Sequence, residues 1–164
     1  MNLIRTSAKH ISSRNKIYGF FCRRYAKEAL TDKLRLTFLL PHSILYKAQD
    51  VFQVNIPATS GRMGILALHV PTIEQLQPGV VEVIEENGVS NKFFVSGGFA
   101  TMQPSSDLYI NAIEAYPLDD FSLEAVNENL QKAQKVVSGN GSEEEIAEAK
   151  IQIEVLENLQ ICLK

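Results

Sequence analysis

The stretch "VVEVIEENGVSNKFFVSGG", residues 80 to 98, decides the fold class. Asn87-Gly88 near its middle suits a tight primed turn, so the runs on either side predict an antiparallel β-hairpin. Its end, Ser96-Gly97-Gly98, predicts a strand-to-strand turn, because glycine adopts positive φ without a Cβ penalty. Outward from this hairpin the chain keeps to the same pattern. "KLRLTFLLP", from Lys33 to Pro41, alternates Leu34, Leu36, Phe38 and Leu40 with Arg35 and Thr37, a half-buried strand that the proline closes. "DVFQVNIP", from Asp50 to Pro57, places Phe52, Val54 and Ile56 on one face and Gln53 and Asn55 on the other. "DLYINAIEA", residues 107 to 115, follows the turn-rich "QPSS" as a further strand. Many short strands divided by Gly, Pro and Asn predict an antiparallel β-sandwich or flattened barrel over about residues 30 to 118.

After that the period changes. Leu123, Val126, Leu130, Ala133 and Val137 recur at three and four, which predicts an amphipathic helix with Ser122 or Asp120 as its N-cap. "SGNGS" ends it, and a second helix opens on a capping box, Ser142 to Glu145. Its apolar positions Ile146, Ala149, Ile153 and Leu156 form one stripe, which Ala147, Ile151, Val155 and Leu159 widen. Two helices with a five-residue joint predict an antiparallel hairpin. The stripe is wider than one partner helix covers, so part of it is expected to face the sandwich or another chain.

Charge divides the chain differently. Residues 1 to 25 carry Arg5, Lys9, Arg14, Lys16, Arg23 and Arg24 and no acid. From Ala26 onward, ten basic residues stand against nineteen acidic ones, a net charge of −9. A basic, acid-free amino end whose apolar residues are interrupted by charge reads as a mitochondrial transit peptide, with "RRYA" placing cleavage close to Tyr25–Ala26. The other reading is a basic tail that stays attached. The domains are then a leader over 1–25, a β-sandwich over 26–118 and a helical hairpin over 119–164. An acidic mature chain argues against sequence-blind nucleic-acid binding. No apolar run approaches the roughly 18 residues of a membrane span. With Cys22 lost in the leader, Cys162 alone is left, which excludes an intrachain disulfide and a multi-cysteine metal cage.

The stretch "SGRMGILALHV", residues 60 to 70, poses the functional question. Glycine, arginine and histidine in one loop suit the mouth of an active site or a surface that another protein holds. Gly61 and Gly64 are not followed by the Gly-Lys-Ser/Thr of a phosphate loop, and no Gly-x-Ser-x-Gly elbow occurs. His10, His42 and His69 are far apart and none pairs with another ligand at i, i+4, so no metal is expected. Glu143-Glu144-Glu145 occupies a helix's first turn, where the dipole favours acid. Asn140-Gly-Ser matches a glycosylation sequon that a matrix protein never exposes to the glycosylation machinery. Composition and spacing point to a binding module without catalytic residues or cofactor.

At this point specific words carry information. "SGRMGILALHVPTIEQLQPGVVEV" resembles the loop and following strand of the F-type ATP synthase central-stalk subunit, called delta in mitochondria and epsilon in bacteria. "KFFVSGGFATMQPSSDLYINAIEAYPLDDFS" is similar to the second half of that subunit's sandwich and its link to the helices. The resemblance covers about residues 30 to 164 in order, and the leader adds the mitochondrial version.

The resemblance implies a sandwich of about ten antiparallel strands followed by a C-terminal helical hairpin. It implies a rotor subunit with no active site, coupling proton-driven rotation to ATP synthesis, peripheral on the matrix side of the mitochondrial inner membrane. The implied partners are the gamma subunit, a small epsilon chain and the membrane c-ring. On this reading Gly61 and Gly64 shape a turn, and Pro71 with Pro78 stiffens the path out. Arg62 and Met63 stand exposed at an edge toward the ring, while His69 and nearby Gln75 face gamma. Bacterial relatives that bind ATP carry a helix-start pattern resembling Ile/Leu-Asp-x-x-Arg-Ala. Here "FSLEAV" has Ser122 for the aspartate and Ala125 for the arginine, so phosphate loses its bidentate donor and no nucleotide is expected. The alternative is a free matrix adaptor or carrier holding a small apolar ligand between sheet and hairpin.

Overall fold

The computed structural model describes residues 32–139 and 142–164; the expected leader, its expected cleavage point and Asn140 lie outside the described residues. In chain order the strands are β1 (Leu34–Leu39), β2 (Ile44–Val51), β3 (Gln53–Ala58), β4 (Gly61–Leu66), β5 (Thr72–Leu76), β6 (Gly79–Ile84), β7 (Ser90–Val95), β8 (Gly98–Met102), β9 (Asp107–Ala112) and β10 (Ala115–Pro117). A single 3₁₀ turn, Leu118–Asp120, leads into helices α1 (Leu123–Ser138) and α2 (Glu143–Cys162).

The strands form one curled sheet that makes both layers of a sandwich. One layer runs β4-β3-β6-β7-β10 and the other β5-β8-β9-β1-β2. They join where Ala58, at the end of β3, pairs with Leu76, at the end of β5. Period-two alternation drives both layers inward: Leu34, Leu36 and Phe38 of β1 meet Val81, Val83 and Val95 of β6 and β7 in one buried cluster. The pairing is antiparallel throughout except between β1 and β9, which run parallel from Arg35–Asp107 to Leu39–Asn111. An all-antiparallel sandwich is therefore corrected at that one seam.

Three local expectations also change. Phe52 does not join Val54 and Ile56 in the core; it is 58% exposed. The alternation breaks there because Val51 is buried opposite Leu34 in one layer and Val54 opposite Val83 in the other, so Phe52 is the corner at which the chain changes layer. The β6–β7 connection is longer than a two-residue primed turn. The Glu85 carbonyl accepts the Gly88 N–H at 2.9 Å, and only glycine of the Asn87-Gly88 pair takes positive φ, at 83°. Residues 107 to 115 are not one strand, since β9 ends at Ala112 and β10 begins at Ala115.

The helical hairpin lies against the outside of the β6–β7 layer. Asn127 near the start of α1 accepts a hydrogen bond from Gln160 near the end of α2 at 2.6 Å, which fixes the helices as antiparallel. Ser142 caps α2 reciprocally with Glu145, as the capping box requires. Ser122 is the N-cap of α1, without a side-chain bond. The wide stripe of α2 divides its work: Leu159, with Val155 and Leu156 beside it, packs with Val126 of α1 and with Phe94 and Val80 of the sheet. Ile151 and Ile161 are left 64% and 69% exposed.

Candidate functional site

The stretch 60 to 70 is mostly strand. Thr59 and Ser60 make the β3–β4 turn, and Gly61 follows at φ 128° with open space where a Cβ would stand. Gly64 does not shape that turn. It lies inside β4 opposite Asn55, outside the positive-φ region. Its lack of a side chain leaves room for two polar ones, since a Cβ would stand 3.0 Å from both Asn55 Oδ1 and Gln53 Nε2. Those belong to a chain of hydrogen bonds on the outer face: Gln53 donates to Asn55, Asn55 to Glu82 at 2.9 Å, and Ser90 to Glu82 at 2.7 Å. The Ser90 hydroxyl first and the Asn55 amide next hold the Glu82 carboxyl below the usual carboxylate range, with Lys92 and Arg62 adding positive charge nearby.

Arg62 is exposed on β4, which pairs only with β3 and so forms an edge of the sheet. Met63 is not exposed beside it. Alternation turns Met63 inward, half-buried against the core. Gln75 is exposed on β5 and its carbonyl accepts the Thr59 N–H at 2.9 Å, so it belongs to the end of the sandwich that carries the β3–β4 turn. His69 is toward the other end, beyond Thr72 at the far end of β5, which is itself about 10 Å of strand from Gln75. His69 and Gln75 are therefore not adjacent, and β5 runs between them.

His69 follows a turn closed by its own N–H on the Leu66 carbonyl at 3.3 Å. Its Nδ1 lies 2.9 Å from the Val70 carbonyl. A carbonyl only accepts, so Nδ1 is the donor in that bond. Pro71 stands exposed just before β5. At the opposite end Gly97 and Gly98 both take positive φ, 155° and 149°, in the β7–β8 connection.

Residue spacing missed the apolar surface. Val70 and Ile73 are 73% and 72% exposed, and Phe99 is 54% exposed. Ile73 and Gln75 share the outward face of β5, with Phe99 directly opposite Gln75 on β8. A strip thus runs from the His69 loop along the outer face of the β5–β8 layer. It ends at a cleft of about 860 Å³ between the Gly97–Gly98 turn and α2, bordered by Gln75, Phe99, Ile113 and Ile151. Exposed apolar side chains gathered on one face are the kind of surface that a partner, a membrane or a ligand covers. Among the described residues no three metal-ligating side chains gather, and no helix is long and apolar enough to cross a membrane.

Comparison with known proteins agrees with this geometry. Residues 33–115 match the family model for the ATP synthase Delta/Epsilon chain beta-sandwich domain, and residues 121–161 match the fungal epsilon subunit of F1F0-ATP synthase C-terminal domain. The mitochondrial ATP synthase subunit delta of Neurospora crassa is 60% identical over 142 residues, covering 87% of this chain and 86% of that one. The Saccharomyces cerevisiae subunit of the same description is 57% identical, covering 87% and 88%. Among solved structures, a chain of the Euglena gracilis mitochondrial ATP synthase, in an assembly of OSCP, F1 and c-ring, superposes with a TM-score of 0.78 at 29% identity, covering 85% and 87%. A chain of the Tetrahymena thermophila central stalk and c-ring shares the fold at a TM-score of 0.58 and 16% identity, covering 83% and 100%.

Proposed function

The chain belongs to the delta/epsilon family of ATP synthase subunits, and from that premise we propose how its surfaces serve the rotor. It is a non-catalytic central-stalk subunit of the mitochondrial ATP synthase, coupling proton-driven rotation to ATP synthesis in catalytic sites that belong to other subunits. The relatives support this role and give no support to a free carrier. The proposal concerns the contacts. The β3–β4 edge with Arg62 faces the membrane c-ring. The His69 loop and the strip through Ile73, Gln75 and Phe99 face gamma, and the cleft beside α2 seats the small epsilon subunit. The observation that carries this is the uncovered apolar strip, which the helical hairpin, packed on the other layer, leaves open.

Placement on the matrix side of the inner membrane follows from docking to the ring. The basic residues 1–25 are proposed as the leader that brings the chain there. Amino-terminal sequencing of the imported protein is expected to begin near Ala26, and a mature chain that still starts at Met1 overturns the leader.

Arg62→Glu reverses charge at the proposed ring contact. Arg62 is exposed, so the variant should keep its fold within about 0.5 kcal/mol. In inner-membrane vesicles, ATP-driven proton pumping is expected to fall severalfold and in a salt-dependent manner, as for a rim charge. ATP hydrolysis by the detached catalytic head should persist. His69→Ala should weaken pumping without the salt dependence. Equal loss of hydrolysis and pumping, with normal subunit content, would give the stretch a role in chemistry and overturn the contact reading.

A further inference from the structure

Two residues with side chains sit in the left-handed region at the same end of the sandwich, and one hydrogen bond joins them. Leu68 has φ 61° although its side chain is bulky and 54% exposed. Ser106, between β8 and β9, has φ 65° and is only 1% exposed, the sole buried polar residue among those described. Its Oγ accepts the Leu68 N–H at 3.0 Å. The backbone of Ser106 is held independently: its N–H donates to the Gln103 carbonyl at 3.2 Å, and its carbonyl accepts the Arg35 N–H of β1 at 3.0 Å. The hydroxyl is therefore anchored to the core and reaches out to the loop.

A left-handed leucine persists only where its surroundings over-determine it. Turning Leu68 out of that conformation would redirect every side chain from Leu68 to Val70, including the His69 ring that rests on the Val70 carbonyl. We propose that Ser106 is a positioning residue for the partner-facing loop: its buried hydroxyl holds Leu68 left-handed and so sets how Leu68, His69 and Val70 meet the neighbouring subunit. This rests on the reading of the loop as a partner surface.

Ser106→Gly and Ser106→Ala both remove the acceptor; glycine also tolerates the positive φ, so at least one variant retains the backbone. In the full chain, hydrogen exchange at the Leu68 amide is expected to quicken about tenfold in both. The Leu108 and Ile110 amides of β9 should not change. A merely structural serine would loosen β9 as well, and that result overturns the proposal. So does an unchanged Leu68 amide. In inner-membrane vesicles, ATP-driven pumping is expected to fall in both variants while hydrolysis by the detached head persists. Val70→Asp, in the same assay, tests the loop itself. If Val70→Asp uncouples and the serine variants do not, the positioning role fails and the partner surface stands. If Val70→Asp pumps normally, the partner surface fails, and the positioning role with it.

Discussion

Gly98→Ala is expected to cost the sandwich about 2–6 kcal/mol, a large share of the roughly 5–15 kcal/mol that holds a domain of this size together. Two effects combine. Gly98 has φ 149°, a conformation that costs an L-residue about 1–3 kcal/mol. A Cβ there would also meet backbone: it would collide with the Asn111 carbonyl oxygen and stand 2.8 Å from the Ala112 Cα. Those atoms belong to β9, paired with β8 through Gly98 and Ala112, so relief requires separating the strands. Overpacking of this kind costs about a further 1–3 kcal/mol. Gly97→Ala is the control. It has a similar φ of 155°, but its Cβ would meet only the Leu76 carbonyl, at 3.6 Å, an ordinary contact. Thermal melting of the two variants should therefore separate the effects, with Gly98→Ala lower by roughly 4–12 °C. Equal melting would mean that β8 and β9 accommodate the methyl group and that close approach does not explain the glycine.

The same two glycines show what sequence makes legible. Ser96-Gly97-Gly98 announces a turn because positive φ is a local property of glycine. The capping box of α2 is local too, as is the alternation of β1, and each was readable. The features that were not readable depend on partners distant in sequence. Gly64 reads as a second turn glycine, yet it is required inside a strand by the Gln53 and Asn55 side chains beside it. The strand β2 hides because its register shifts twice against β1 and Ala48 takes φ 49°, so its apolar residues lose their period. Phe52 continues an alternation that the chain abandons at a corner.

The functional surface was concealed for a related reason. In "GFATM", from Gly98 to Met102, Phe99 is the largest apolar residue, and size alone would assign it to the core. The structure buries Ala100 and Met102 instead and turns Phe99 outward. Which face of a strand is inside depends on what the sheet folds against. The loop words that identify the family were legible. The apolar strip beside them emerges only when β5 and β8 are in register.

Placing aspartate at Ile73 and Phe99 together is the substitution expected to uncouple the rotor most completely. Both side chains lie outside the core, so Ile73→Asp and Phe99→Asp should leave melting of the full chain close to the parent. Against a partner the consequence is different. Large apolar side chains at the centre of an interface are where truncation costs about 2 kcal/mol or more each, and a carboxylate adds an uncompensated buried charge. The two sites flank Gln75, opposite Phe99 on the neighbouring strand, so both anchors of one patch are lost at once. Inner-membrane vesicles carrying the double variant should hydrolyse ATP in detached heads at the parent rate and lose nearly all ATP-driven pumping. The loss should exceed that of Arg62→Glu, because a rim charge tunes approach whereas a buried apolar anchor holds the contact. If the double variant pumps like the parent at normal subunit content, the outer face of the β5–β8 layer meets no subunit, and the exposure of Ile73 and Phe99 has no coupling role.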